Sequence, residues 1–249
     1  MIVDCHAYAG KGLAWSEPEA QVEYDVARLV ERGAQAGIDR HCIMPPRGAA
    51  YDEANREIAR LVEKDPQRLT GFAAHSPQRE AGRLRQLLTG EVRSMGLRGV
   101  RFDGHPNREA MDAVAELDIP VMYYPQMASG TGPARWFHMI ASAYPRVNFI
   151  LPHLGSYRSL VWWAPVEAID LAKRYPNLYL DTSGLGSLKY LWMAVRELPA
   201  EKLLFGTCAP ELDPRVERQA VRLMKLPRGK EELVLGGNIL RLLKMREAA

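Results

Sequence analysis

Cysteine is scarce in this chain: Cys5, Cys42 and Cys208 are the only three in 249 residues. None is spaced as a CxxC pair and an odd trio makes no disulfide framework, so a stapled secreted scaffold is excluded and a reducing, cytoplasmic setting is expected. A charge excess is missing too. Thirty-three Lys and Arg stand against 30 Asp and Glu, a formal net charge of +3. With no basic block, nothing recruits nucleic acid or an anionic membrane surface. No apolar run approaches the roughly 20 residues a membrane span needs. The opening MIVDCHAYAG lacks a basic stretch followed by an apolar one, so no secretion signal is expected. Neither GxGxxG after the first strand nor GxxxxGK[ST] anywhere occurs, which removes the usual phosphate-binding loops. No repeat, low-complexity tract or linker divides the chain.

What is present is an alternation. Eight β-rich runs are bounded by Gly, Pro, Ser or Asp: Ile2–Tyr8, Arg40–Pro46, Leu69–His75, Leu97–Asp103, Ile119–Pro125, Val147–His153, Leu178–Gly184 and Leu203–Cys208. Segments of helical period separate them. Asp52–Lys64 puts Ala54, Ile58, Leu61 and Val62 on one face. Glu19–Arg32, Arg79–Leu88, Arg108–Glu116, Arg135–Ala143, Val166–Lys173, Lys189–Glu197 and Pro214–Met224 fill the other gaps. Glu231–Arg246 closes the chain, with a break expected at Gly236, Gly237 and Asn238. Strand–helix units repeated eight times, at a length near the roughly 250 residues of a (β/α) barrel, predict one α/β domain over residues 1–249, a single (β/α)8 TIM barrel.

Such barrels react at the C-terminal ends of their strands. Four of the six histidines fall there: His6, His75, His105 and His153. His41 starts a strand at the opposite rim and His138 lies in a helix. Alternation puts His6 and Tyr8 on one face of the first strand and Cys5 on the other. Arg101, Tyr124, Asp181 and Cys208 end further strands. Asp4 reads as a brace for the first strand, and Cys5 and Cys42 as structural. His75 and His105 read as loop histidines, and Asp103 and Asp181 as rim carboxylates or helix caps. Trp136, Trp162 and Trp163 read as core or as an apolar pocket wall. The Trp162–Trp163 pair is also a surface on which a second copy could associate.

These blocks, in order, resemble the second large branch of the amidohydrolase superfamily, which includes metal-dependent hydrolases and decarboxylase-like members. IVDCHAY resembles its Asp-x-His-x-His, and ANREIARLVEKDPQRLTGFAA its second-helix and third-strand signature. GLRGVRF, IPVMYYP, VNFILPHLG, NLYLDTSG, LLFGTCAP and GGNILRLL follow as later blocks. The resemblance implies a divalent metal held by two histidines of the first motif, a histidine ending the fifth strand and an aspartate of the eighth. In this chain those positions are His6, Tyr8, Tyr124 and Cys208, so one of the four is kept. His153 matches the sixth-strand histidine, which serves as an acid/base or a second ligand. Arg101 stands where relatives carry Arg or Lys, and Asn238 matches the block before the final helix.

Neutral tyrosine is a poor ligand, whereas cysteine thiolate is a good one for zinc. His6, Cys208 and His153 are therefore the candidate metal ligands for one divalent ion, zinc; the shortfall of donors favours a rim with no metal. In that state His153 is the candidate general acid/base, Arg101 the fork for a substrate carboxylate or phosphate, Tyr8 and Tyr124 the oxyanion donors, and Cys208 a nucleophile if His6 or His153 lowers its pKa. The expected function is hydrolysis or C–C lysis of a small organic, carboxylate-type substrate. The alternatives are a metal-free acid/base or Cys-dependent enzyme and a non-catalytic relative that binds a ligand or a protein.

Overall fold

Each strand of the barrel is buried on both faces, and that follows from where it sits. The computed structural model describes residues 1–14, 17, 20–124, 134–156 and 161–245. It begins with β1 (Val3–Tyr8), a hairpin of β2 (Gly10–Leu13) and β3 (Gln21–Tyr24), and α1 (Val26–Gln35). Then come β4 (Arg40–Met44), α2 (Tyr51–Lys64), β5 (Leu69–His75), α3 (Leu84–Ser94), β6 (Gly99–Asp103) and α4 (Arg108–Leu117). The second half runs β7 (Val121–Tyr124), α5 (Ala134–Ala143), β8 (Phe149–Leu151), α6 (Ala164–Arg174), β9 (Leu178–Asp181), α7 (Leu188–Glu197) and β10 (Leu203–Leu204). It ends with α8 (Pro214–Leu223), α9 (Arg228–Glu232) and α10 (Asn238–Leu242).

Eight strands pair in parallel in the order β1-β4-β5-β6-β7-β8-β9-β10. The ring closes where the chain after β10 runs beside β1. Cys5 N donates to Phe205 O at 2.9 Å, Cys208 N to His6 O at 2.8 Å and Tyr8 N to Ala209 O at 2.8 Å. The predicted (β/α)8 barrel is what forms. Inward-facing Val3, Cys42, Met44, Phe72, Met122 and Ile150 fill the barrel. Outward-facing Ile43, Val100, Phe102, Phe149 and Leu180 pack under the helices. Buried on both sides, such strands read as continuous apolar runs rather than as alternating ones. Among the described residues no helix is long and apolar enough to cross a membrane.

Several sequence boundaries move, each for a local reason. The predicted helix Glu19–Arg32 is two elements: Gln21–Tyr24 pairs antiparallel with Gly10–Leu13, and the helix starts only after Asp25, whose Oδ1 accepts from Ala27 N at 2.8 Å. The predicted helix Arg79–Leu88 begins at Leu84 instead. Glu80 folds back to accept from Ser76 N at 2.8 Å, and Gly82 adopts φ 81°. The break expected near Gly236 is a π-helical turn, Leu233–Gly237. A Cβ at Gly236 would lie 2.4 Å from Met1 O, so only glycine lets this turn pack on the first strand. Asn238 is buried just after it and donates to Ala200 O at 2.8 Å and Leu203 O at 2.9 Å, tying the last helix to β10. Residues 19, 125 and 246, the expected start of a helix and ends of a strand and a helix, lie outside the described residues.

Candidate active site at the strand ends

The site begins with a slip in register. Asp4 pairs with His41 but Ala7 pairs with Ile43, so β1 carries one residue more than β4 between them. A bulge of this kind re-aims side chains next to active sites. It breaks the alternation expected from sequence: Cys5 and Tyr8 both belong to the barrel-interior cluster, and His6 reaches the same rim as Tyr8. Asp4 holds the bulge. Its Oδ1 accepts from His6 N at 3.0 Å and Thr207 N at 2.9 Å. Its Oδ2 accepts from Thr207 Oγ1 at 2.6 Å and meets His41 Nδ1 at 2.9 Å. One buried carboxylate thus locks the segment carrying His6 to the turn carrying Cys208, the bracing role expected of Asp4.

His6 is fully buried between two oxygens. Its Nδ1 meets Asp181 Oδ2 at 2.6 Å, and its Nε2 meets the Tyr8 hydroxyl at 2.7 Å. Asp181 comes from the end of β9 and also accepts from Ser183 N at 2.7 Å and Ser183 Oγ at 2.8 Å. Burial alone would raise its pKa, but the His6 charge and hydrogen bond outweigh that and hold the carboxyl below its ordinary range. Gly206 makes this approach possible: a Cβ there would lie 2.1 Å from Asp181 Oδ1. His153 stands next to His6, ring centroids 5.1 Å apart. Its Nδ1 lies 2.9 Å from both Ser183 O and Ser183 Oγ. With a carbonyl as partner, Nδ1 must donate, which leaves Nε2 as the lone-pair nitrogen. Burial first, then the neighbouring His6 charge, pulls His153 down to about 4, so its ring is neutral at pH 7.

Cys208 is buried beside these rings, and ligand atoms of His6, His153 and Cys208 lie within 4.8 Å of one another. Two of the three sit on strained backbone. His153 has φ 56° and Cys208 φ 56°, left-handed values that cost a non-glycine residue on the order of 1 kcal/mol or more. Burial, and after it Asp181, pushes the Cys208 thiol well up. The favoured resting group is therefore the protonated thiol, and the lowering by His6 or His153 on which a Cys208 nucleophile depends is not among the influences on it. Arg101 is also corrected. Its fork is turned into the wall, donating to Pro45 O at 2.5 Å, Tyr51 Oη at 3.2 Å and Asp103 Oδ2 at 3.1 Å. The guanidinium carbon lies 5.7 Å from the Tyr8 ring centroid, so the cation backs Tyr8. Tyr124 ends β7 opposite Asp103 in the register, and its side chain lies outside the described residues.

Of the four histidines expected at the rim, His6 and His153 meet and the other two do not. His75 has the strand parity opposite to the inward Phe72, and lies under α2 and α3. There Nδ1 meets Glu80 Oε2 at 3.0 Å and Nε2 meets Glu91 Oε2 at 2.6 Å. Burial would lower its pKa, but the two carboxylates outweigh that and hold it at about 9. His105 stacks on Trp136 at 4.0 Å between centroids and bonds to Tyr123. Nothing in the sequence singles out Ser183, and Asp181 reads there as a rim carboxylate or a helix cap. The Asp-Thr-Ser-Gly end of the seventh barrel strand was the available signal.

The donor set admits a metal. Two imidazoles and a thiol supply the three ligands of an open zinc site. Each ring already gives its other nitrogen to a partner, His6 to a carboxylate and His153 to a backbone carbonyl, the outer support that orients ligating histidines. The Tyr8 hydroxyl on His6 Nε2 is no barrier. Breaking one such hydrogen bond costs about 1 kcal/mol net, against roughly 10–16 kcal/mol for structural zinc sites.

A sequence profile described as amidohydrolase matches residues 3–245. No curated protein matches the chain. Among solved structures, the chain resembles 5-carboxyvanillate decarboxylase from Sphingomonas paucimobilis at 15% identity and TM-score 0.74, covering 98% of this chain and 99% of that one. It resembles a dihydroxybenzoic acid decarboxylase from Polaromonas sp. JS666, solved with bound manganese and the inhibitor 2-nitroresorcinol, at 18% identity and TM-score 0.75, covering 99% and 98%. A probable 2-pyrone-4,6-dicarboxylic acid hydrolase from Acinetobacter baumannii, with citric acid bound, follows at 14% identity and TM-score 0.74, covering 98% and 99%. At these identities the structures establish the shared barrel.

Proposed function

The chain belongs to the amidohydrolase family, and from that premise we propose that it is an enzyme that hydrolyses, or cleaves a C–C bond of, a small carboxylic acid. The substrate class is supported by the neighbours: the two decarboxylases and the hydrolase are named for small cyclic carboxylic acids. The observation that carries the reading is the buried pairing of Asp181 with His6 and of Ser183 with His153 at the rim. Two buried imidazoles, each oriented by a partner and one of them on strained backbone, are costly to keep for packing alone.

His6, His153 and Cys208 would hold a divalent ion there, and such an ion supplies Lewis-acid polarisation of a substrate oxygen. Asp181 keeps the His6 proton on Nδ1 and so aims Nε2 inward. Ser183 does the same for His153 through its carbonyl. The Tyr8 hydroxyl, already within 2.7 Å of His6 Nε2, is placed to give a hydrogen bond to negative charge developing on the substrate, and Arg101 behind its ring favours that charge.

The Tyr8 contact also favours a second reading, an enzyme without a metal. In it Asp181, His6 and Tyr8 form a relay in which His6 accepts the Tyr8 proton while Asp181 orients the ring. His153 is then the acid/base partner. The test is a panel of aromatic carboxylates, lactones and esters, read by CO2 release and by acid production, on wild type, Asp181→Asn and His153→Gln. Turnover by wild type, lowered about 10²-fold or more in both variants, is the expected result. A folded wild type that turns over none of the panel, or variants as active as wild type, would contradict the reading.

A further inference from the structure

We propose that Cys208 makes this rim a zinc-selective site, with His6 and His153 as its other ligands, unlike the oxygen-rich centres suited to manganese or magnesium. The inference rests on the active-site reading for its biological meaning, but its test is independent of turnover.

Three observations carry it. The ligand atoms of the three residues lie within 4.8 Å of one another and all three side chains are buried. Each ligand is pinned from behind, so the set is rigid. His6 is held by Asp181, and His153 by Ser183. Cys208 is fixed through its backbone, its N donating to His6 O at 2.8 Å. Asp4 sets the neighbouring Thr207 through both its N and its Oγ1, at 2.9 and 2.6 Å, and Thr207 Oγ1 in turn accepts from Ala209 N at 3.1 Å. The left-handed φ of Cys208 is thereby overdetermined by its neighbours rather than left to relax. Third, the donor chemistry is soft. Thiolate and imidazole suit zinc, whereas manganese and magnesium prefer carboxylate, carbonyl and water oxygens. Asp181, the carboxylate bonded to His6, is already committed to it and to Ser183, which leaves it the role of orienting His6.

Binding joins the sulfur to the ion with loss of the thiol proton to solvent, and no electron changes hands. Cobalt(II) therefore reports the site directly, since a cobalt–thiolate bond gives an intense near-ultraviolet charge-transfer band that nitrogen and oxygen ligands do not give.

Chelator-treated full-length protein is titrated with cobalt(II), then back-titrated with zinc and separately with manganese. The same is done for Cys208→Ser, Cys208→Asp and Cys42→Ser, each first shown folded by circular dichroism. The expected result is one equivalent of cobalt with the thiolate band in wild type and Cys42→Ser, displaced by zinc and not by manganese. Cys208→Ser loses the band, and Cys208→Asp loses it while its zinc-over-manganese preference falls at least tenfold. Absence of stoichiometric cobalt in folded wild type, a spectrum without the thiolate band, or a band that survives in Cys208→Ser overturns the inference. Any of these outcomes leaves the active-site reading standing in its metal-free form, which turnover tests separately.

Discussion

His6 and His75 are both buried, both near the end of a barrel strand and both bonded to carboxylates, yet the wiring differs. His75 has a carboxylate on each ring nitrogen, Glu80 on one and Glu91 on the other. Held at about 9, it is an imidazolium at neutral pH with no lone pair to give. Among the described residues His6 meets one carboxylate, Asp181, and its second nitrogen meets Tyr8 beside the ligand cluster. Two carboxylates saturate a histidine and make it a structural cation, whereas one orients it and leaves the far nitrogen for chemistry. The histidine count at a rim therefore says less than the number of acids behind each ring.

The sharpest way to break this contrast is to remove a carboxylate from the flank. Glu91→Ala leaves the His75 charge half-paired and the Asn55 amide without its partner at 2.7 Å, so unfolding free energy should fall by about 3–5 kcal/mol. Denaturant titration measures it, and cobalt binding at the rim should be unchanged in the folded fraction. The pH dependence comes next. The folded pKa of His75 lies above its ordinary 6.5, so its contribution is fully present below 6.5 and is lost as pH rises through about 9. The stability due to this cluster should drop by on the order of 3 kcal/mol across that window, and His75→Gln should flatten the drop.

Effects at the rim should be smaller in stability and larger in binding. Asp181→Asn removes the orienting carboxylate, and zinc affinity, measured against a chromophoric chelator, should fall about 10–100-fold. A third buried acid sharpens the rule from the other side. Glu217 accepts from Gly184 N at 3.0 Å and, among the described residues, bonds to no histidine. Burial pushes it up to about 8, so it is protonated at pH 7 and costs stability there relative to an ionised unfolded state. Glu217→Gln keeps the acceptor and should raise stability at pH 7 by on the order of 3 kcal/mol, a gain that vanishes below pH 4.5.

The barrel was legible because strands buried on both faces are the strongest local pattern a sequence offers, and turn residues bounded all eight. The β2–β3 hairpin was not, since Gln21–Tyr24 is a strand only through its partner Gly10–Leu13. His6, His153 and Cys208 could be nominated from their places at strand ends. Asp181 and Ser183 could not be assigned firmly: their bonds to His6 span 175 and 177 residues, and no spacing rule reports such a contact. The Cys5–His6 bulge defeated the parity argument in β1, whereas parity in β5 would have turned His75 outward had Phe72 been used as its reference. Arg101 reads as a substrate fork in the sequence because its partners Pro45 and Tyr51 lie on another strand's loop and helix, where no local pattern reveals them.

The most direct test is the long-range proton–nitrogen spectrum of histidine-labelled protein at pH 7, before and after one equivalent of zinc. His75 should show two protonated nitrogens and not move. His6 and His153 should each show a protonated Nδ1, and their Nε2 resonances should shift with the ion. An unprotonated nitrogen on His75, or zinc that shifts His75 and leaves His6 and His153 alone, would contradict the division of the two clusters into structural and chemical.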